Sequence, residues 1–153
     1  MYIISSCLLG HNCKYNGGNN KNETVIDFCQ NKKYVVICPE SAGNLPSPRP
    51  PAERIGNKVI DRDGVDVTEA FYKGAEISLK TCLTAAELSG EQIEGAILKA
   101  NSPSCGSCRI YDGTFSGTLT EGDGIFTEML KARDIQVITE KEEDIINRWL
   151  VEK

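Results

Sequence analysis

Short apolar runs alternate along the chain with segments whose apolar residues recur every three or four positions. The runs rich in β-branched or aromatic residues predict strands over residues 2–6, 34–37, 95–99 and 135–138. The segments of helical spacing predict helices over residues 23–31, from the cap region 66–68 to residue 88, over 125–133 and over 142–151. Strands that alternate with helices are typical of βαβ units around a mainly parallel sheet.

Two further segments interrupt this alternation. Residues 39–54 hold five of the six prolines, and proline fixes φ and lacks a backbone N–H. We interpret them as a rigid extended loop over a site, in preference to a flexible linker. Residues 107–122 contain Asp112-Gly113 between alternating residues, which predicts a hairpin. We therefore expect an α/β fold, with residues 1–153 as a single three-layer, Rossmann-like domain whose central sheet is mainly parallel and carries an added hairpin.

The charge and the hydropathy of the chain exclude several classes of protein. Seventeen basic residues against 22 acidic ones give a net charge of −5, and no basic stripe is present, so we expect no nucleic-acid partner. No apolar run approaches the length of a membrane span, and residues 1–6 lack the basic residues of a signal peptide. We expect a cytoplasmic protein. The sequence carries no signal for an oligomeric state.

Cysteine is the unusual residue of this chain, with seven in 153 residues. An odd number excludes complete internal disulfide pairing, and a reducing cytosol disfavours disulfides. Cys29 and Cys82 lie among apolar residues at helical spacing, which predicts core packing for both. The other cysteines lie beside Gly, Pro or Ser, at positions 7, 13, 38, 105 and 108.

Three of these cysteines follow three different predicted strands. Cys7 follows the first strand, Cys38 the second, and Cys105 the third after a short loop. Because the carboxyl ends of parallel strands meet at one edge of a sheet, where α/β proteins bind their ligands, we expect the three thiols to converge. Converging thiolates can hold zinc or an iron–sulfur cluster, and redox or structural roles are further alternatives. Three ligands suit a cubane cluster with one open iron, which can act as a Lewis acid.

Five motifs in order resemble those of a family of small bacterial proteins that includes the 2-thiouracil desulfidases. They read CLLG at 7–10 with YNG at 15–17, CPE at 38–40, LPSPRPPAE at 45–53, SPSCG at 102–106 and IYDGTFSG at 110–117. The resemblance implies an oxygen-sensitive [4Fe-4S] cluster on Cys7, Cys38 and Cys105, whose fourth iron accepts the sulfur of a thiocarbonyl substrate. Matched motif by motif, Glu40 and Ser102 are the catalytic candidates.

The implied reaction is the desulfuration of a thiolated pyrimidine or a related small thiocarbonyl compound. It is hydrolytic, because C=S and water give C=O and hydrogen sulfide without external electrons. Glu40 follows a ligand by two residues and can act as the acid–base group. Ser102 and Ser104 can orient water or substrate, and Tyr111 can stack on a flat base. Ser104 and Tyr111 are therefore the substrate-binding candidates.

Each of these roles has a simpler alternative. Glu40 can be a solvated loop carboxylate or the ion-pair partner of Arg49 or Arg54. Ser102 can cap a turn, and hairpin packing can explain Tyr111. Cys13 can be a free loop thiol, a spare ligand or a disulfide partner.

The whole chain also has alternatives to catalysis. It can be a non-catalytic protein that binds metal or sulfide through its cysteines. It can also be a thiol–disulfide redox protein that uses Cys105 and Cys108, which have the spacing of a redox pair.

Overall fold

The computed structural model describes residues 1–152, which form eight strands and five α-helices. The strands are β1 (Tyr2–Ser5), β2 (Tyr34–Ile37), β3 (Ala52–Ile55), β4 (Lys58–Asp61), β5 (Gly95–Leu98), β6 (Arg109–Tyr111), β7 (Leu119–Glu121) and β8 (Val137–Thr139). The helices are α1 (Glu23–Asn31), α2 (Pro39–Ala42), α3 (Thr68–Ser89), α4 (Ile125–Lys131) and α5 (Glu143–Val151). A 3-10 turn covers Ser6–Leu9.

A parallel sheet with the strand order β2-β1-β5-β8 lies between two layers of helices. Successive residues of a strand face opposite sides of the sheet. Ile3 accordingly packs with α3 and α4, whereas Ile4 packs with α1 and α5. Both residues are fully buried, as expected for a parallel sheet covered on both faces. The predicted α/β fold with a central parallel sheet is confirmed, and its four strands and four long helices agree with the prediction to within a few residues.

Cys82 and Cys29 contribute to the two hydrophobic layers, as predicted. Cys82 on α3 is fully buried on one side of the sheet. Cys29 on α1 is half-buried and packs against the core on the other side. Neither thiol is close to the carboxyl edge of the sheet, so both are structural.

The interpretation of residues 39–54 as one extended loop is wrong at both ends. Helix α2 begins at Pro39. The first N–H of a helix has no acceptor within the helix, so proline loses no hydrogen bond there, and its fixed φ is already helical. Strand β3 begins at Ala52 and pairs antiparallel with β4, which the sequence did not predict. Only residues 43–51 between them lack helix and strand.

The predicted hairpin is confirmed as the antiparallel pair β6–β7, in which Tyr111 is opposite Leu119. Its connection takes left-handed backbone conformations at Gly113 (φ +96°) and Phe115 (φ +57°). The loop folds back on itself, because Asp112 accepts hydrogen bonds from the backbone and hydroxyl of Thr114. In the part of the chain from residue 1 to 152, no helix is both long and apolar enough to cross a bilayer.

Candidate active site

The carboxyl ends of β1, β2 and β5 open into a cavity of about 490 Å³. Cys7 lies in the turn after β1, Cys38 directly follows β2, and Cys105 lies in the loop after β5. All three line the cavity, because these strands are neighbours in the sheet. The structure thus brings together three cysteines that are far apart in the sequence.

The 3-10 turn after β1 fixes the position of Cys7. Gly10 ends this turn with a left-handed φ of +95°, and its N–H donates to the carbonyl of Cys7. Asn20 contributes twice, since its backbone N–H donates to the same carbonyl at 2.9 Å and its amide lies 3.5 Å from the Cys7 thiol. Hydrogen bonds from Cys13 first, and then from Asn20, hold the pKa of the Cys7 thiol below its ordinary value against the effect of burial.

Cys38 and Cys105 have the opposite electrostatic environment. A hydrogen bond with Cys13, together with burial, raises the pKa of Cys38 far above its ordinary value. Burial raises the pKa of Cys105 to about 12. Both thiols therefore stay protonated unless a cation displaces the proton, and a coordinated metal does this.

The donor set fits an iron–sulfur cluster better than a single metal ion. In residues 1–152, no three side chains of His, Cys, Asp or Glu converge closely enough to share one ion. In a cubane cluster each cysteine binds a different iron, so the ligands surround a volume and do not meet at a point. A structural zinc site requires four converging ligands, which this cavity does not provide.

Glu40 lies in the first turn of α2 and faces the same cavity. Its Oε1 accepts hydrogen bonds from Nε and Nη2 of Arg49, at 3.1 and 3.0 Å. Its Oε2 accepts one from the hydroxyl of Ser104 at 2.8 Å. The ion-pair partner is thus Arg49 and not Arg54, which binds Glu128. Both oxygens are held by protein donors, so the carboxylate has one orientation.

Arg49 also braces the proline-rich loop. It donates to the carbonyls of Pro46 and Cys13, each at 2.9 Å, and its side chain is only 6% exposed. One guanidinium therefore fixes the loop of residues 43–51, the Cys13 backbone and the Glu40 carboxylate together.

The two candidate serines have different hydrogen-bond partners. Ser102 Oγ accepts the backbone N–H of Cys105 at 2.8 Å, which is the turn-capping arrangement. Ser104 Oγ donates to Glu40 and lies 3.4 Å from Ser102 Oγ. The N-terminus of α4 holds this loop, since the N–H of Phe126 donates to the Ser104 carbonyl at 2.9 Å. Both hydroxyls line the cavity.

Tyr111 and Phe115 contribute aromatic side chains to the lining of the cavity from the β6–β7 hairpin. The guanidinium of Arg62 lies 5.8 Å from the centroid of the Phe115 ring. These rings provide flat apolar surface beside the charged and polar side chains that also line the cavity.

Cys13 and Cys108 occupy very different places. Cys13 is a free thiol inside the cavity, 3.1 Å from Ser6 Oγ, and its carbonyl oxygen lies 4.0 Å from the sulfur of Cys38. Cys108 is exposed and outside the cavity, with Lys131 Nζ 3.8 Å from its sulfur. Cys105, by contrast, is buried, and both thiols are free.

Sequence reasoning missed Glu53 and Arg62, which also line the cavity. Both lie on or directly after the β3–β4 hairpin, whose strands are short and rich in charged residues. Glu53 ends the motif at residues 45–53, and this position is the signal that could have identified it.

Comparisons with known proteins agree with this geometry. The family model described as 2-thiouracil desulfurase matches residues 2–142, which include every residue that lines the cavity. The uncharacterized protein YbbK of Bacillus subtilis (strain 168) is 41% identical over 152 residues, covering 93% of this chain and 97% of its own length. A solved structure of TudS, a [4Fe-4S]-dependent thiouracil desulfidase, is 40% identical and superimposes with a TM-score of 0.85. That match covers 97% of this chain and 96% of the other.

Proposed function

The chain belongs to the 2-thiouracil desulfurase family, as its motifs predicted, and we infer that it hydrolyses the C=S group of a thiolated pyrimidine. Water supplies the oxygen of the new C=O group, and the sulfur leaves as hydrogen sulfide. The atoms and electrons balance without an external reductant. One observation carries this conclusion: three cysteines from separate strand ends line one cavity together with the Glu40–Ser104 pair.

We propose that Cys7, Cys38 and Cys105 hold a [4Fe-4S] cluster. The [4Fe-4S] dependence of TudS and the presence of all three cysteines in the lining of one cavity support this ligand set. When bound, the cluster supplies an iron without a protein ligand, a Lewis acid that binds sulfur and polarises the C–S bond. Cys13 is not needed as a ligand, and its role is to keep the pKa of the Cys7 thiol low.

Glu40 is the proposed acid–base residue. Its carboxylate accepts the proton of the attacking water and returns it to the ring or to the leaving sulfur. Arg49 balances the charge of Glu40, and Ser104 fixes Oε2, so the group is oriented before substrate enters. Ser102 accepts the N–H of Cys105, which leaves its own hydroxyl proton free for Ser104 or for the substrate.

The substrate is a small molecule that binds flat between polar and aromatic walls. The ring of Tyr111 can stack on the substrate ring, and the hydroxyl of Ser104 can form a hydrogen bond with the substrate. A cavity of about 490 Å³ has the size of a small-molecule site. The net charge of −5 favours neither RNA nor DNA as the ligand. We place the reaction in the cytosol, whose reducing conditions suit seven free cysteines.

Anaerobic purification followed by a turnover assay tests this function. We expect about four irons and four acid-labile sulfides per chain, with conversion of 2-thiouracil to uracil and stoichiometric sulfide. A cluster without turnover of 2-thiouracil or 4-thiouracil would instead indicate a non-catalytic binding protein. Reversible disulfide formation between Cys105 and Cys108, with no iron bound after reconstitution, would indicate a redox protein.

A further inference from the structure

Glu53 lines the cavity, and the proposed reaction leaves its carboxylate without a role. Glu53 lies on β3 and is 7% exposed. Its Oε1 accepts hydrogen bonds from the N–H groups of Gly113 and Phe115, at 2.9 and 3.2 Å. One oxygen of Glu53 thus ties the loop of the β6–β7 hairpin to the β3–β4 hairpin.

The second oxygen, Oε2, has no donor from the protein within residues 1–152, either as a hydrogen bond or as an ion pair. It is nevertheless not sealed in the interior, because Ser78 Oγ is the one fully buried and unpartnered side-chain polar atom of that part of the chain. Oε2 therefore borders accessible space, and the space that Glu53 lines is the cavity. An ionised carboxylate can only accept hydrogen bonds, so the group that completes its bonding must be a donor.

We propose that Glu53 is a substrate-binding residue whose Oε2 accepts a hydrogen bond from a ring N–H of the thiolated pyrimidine. The inference rests on the proposed function for the identity of the ligand. Thiouracils carry ring N–H groups beside their carbonyl or thiocarbonyl carbons, so they offer the donor that the carboxylate lacks. A largely buried carboxylate without an ion pair is costly, and a ligand donor offsets part of that cost.

The carboxylate of Glu53 contacts both the N–H edge of the ligand ring and the loop that carries Phe115, whose side chain can contact the face of that ring. Phe115 holds a left-handed φ of +57°, and its N–H donates to Glu53 Oε1. Its ring also lines the cavity. Oε1 of Glu53 therefore positions the Phe115 ring, and Oε2 accepts the hydrogen bond from the ring N–H of the ligand. The class of ligand selected is a planar heterocycle with an unsubstituted ring N–H.

Glu53→Gln separates these two functions. The amide oxygen can still accept the N–H groups of Gly113 and Phe115, so the loop remains attached. The amide nitrogen then faces the cavity as a donor, and two donors cannot form a hydrogen bond, so the ring N–H has no acceptor. The experiment measures binding of uracil, 1-methyluracil and 3-methyluracil to the cluster-loaded protein by anaerobic calorimetry, because these sulfur-free probes do not turn over.

The wild-type protein should bind uracil about 10- to 100-fold more tightly than one of the two methylated probes. In Glu53→Gln that ratio should fall to about one, because the variant no longer accepts from the N–H. Glu121→Gln, which changes an exposed carboxylate on the β6–β7 hairpin, should keep the wild-type ratio. A second measurement compares kcat/KM for 2-thiouracil with kcat/KM for its two N-methyl derivatives. In Glu53→Gln the kcat/KM for 2-thiouracil should fall because KM rises.

Asp112→Ala distinguishes binding from loop support. It removes hydrogen bonds inside the loop without touching the cavity lining. The proposal would be overturned if Glu53→Gln kept the wild-type ratio of uracil affinity to methyluracil affinity. It would also be overturned if Asp112→Ala lowered that ratio as much as Glu53→Gln does. Glu53-dependent discrimination in a wild-type protein that releases no sulfide would refute the desulfidase function and leave the binding role standing. If the wild type neither binds uracil nor turns over thiouracil, both are wrong.

Discussion

Glu40 Oε2 and Ser104 Oγ lie 2.8 Å apart and join two segments that are 64 residues apart in the chain. Glu40 follows Cys38 by two residues, and Ser104 directly precedes Cys105. The hydrogen bond therefore connects the start of α2 to the loop after β5, the two segments that carry Cys38 and Cys105. Because Arg49 holds the other oxygen of Glu40, the proposed acid–base residue is oriented by groups that do not depend on substrate.

Replacing Glu40 by Gln should lower kcat by about 100-fold or more, because the amide cannot accept a proton from water. The side chain keeps its shape and its oxygen acceptor, so we expect the iron content to stay at the wild-type level. Anaerobic turnover of 2-thiouracil with iron analysis of the same sample measures both. Wild-type turnover in Glu40→Gln would remove the acid–base role and leave Glu40 as the partner of Arg49.

Alanine at Ser102 and at Ser104 should have different effects. Ser102→Ala leaves the N–H of the buried Cys105 without an acceptor and should destabilise the protein by about 1–3 kcal/mol. Ser104→Ala frees Glu40 Oε2 and should lower kcat with little loss of stability. Urea denaturation and anaerobic kinetics on the two variants separate the effects. If Ser102→Ala is as stable as the wild type and inactive, Ser102 is catalytic and not a turn cap.

The periodicity of the sequence was sufficient to predict the sheet and its helices. Buried strands such as β1 and β5 are continuous apolar runs, and α3 repeats its apolar positions over many turns. The convergence of Cys7, Cys38 and Cys105 followed from topology, since parallel neighbours end at one edge.

Other features depend on contacts between distant segments and have no local signal. Strands β3 and β4 are four residues each and carry Glu53, Arg54, Lys58 and Asp61, so no apolar run marks them. Their pairing buries Glu53 only because the β6–β7 loop supplies two N–H donors. The position of Cys13 is set in the same way, by Arg49 binding its carbonyl from the proline-rich loop.

The cysteines should fall into two groups when each is replaced by serine. Loss of Cys7, Cys38 or Cys105 should lower the iron content to about a quarter of the wild type or less, because two of the three proposed thiolate ligands would not hold the whole cluster. Cys13→Ser keeps a hydroxyl for the contact with Ser6 Oγ, and Cys108 is outside the cavity, so both variants should keep the cluster. The measurement is iron and acid-labile sulfide per chain after anaerobic purification. A cluster lost in Cys13→Ser and retained in Cys7→Ser would show that the proposed ligand set is wrong.

Alkylation of the cysteines outside the cavity should depend on pH. Burial raises the pKa of Cys29 to about 11 and of Cys82 to about 12, because a thiolate is disfavoured in an apolar environment. At pH 8 both are almost entirely protonated and react slowly, and their labelling should rise as the pH approaches these values. The exposed Cys108 should react first. Peptide mass spectrometry of the cluster-loaded protein after iodoacetamide treatment at pH 7 and pH 9 measures the order, with Cys108→Ser as the control. Equal rates for Cys82 and Cys108 at pH 7 would contradict the packing described.

Gly74 on α3 allows α2 to approach closely enough to place Cys38 and Glu40 in the cavity. A Cβ at position 74 would overlap the backbone carbonyl oxygen of Pro39, the first residue of α2. Backbone cannot rotate away as a side chain can, so Gly74→Ala must push α2 outward. We expect a loss of stability of about 1–3 kcal/mol, although alanine favours a helix over glycine by about 1 kcal/mol.

The displacement should also lower the retention of iron, because Cys38 moves with α2. Urea denaturation and iron analysis of Gly74→Ala test the two effects, and Glu76→Ala, at an exposed position of the same helix, controls for composition. Full stability together with full iron content in Gly74→Ala would show that the contact between α2 and α3 does not set the position of Cys38.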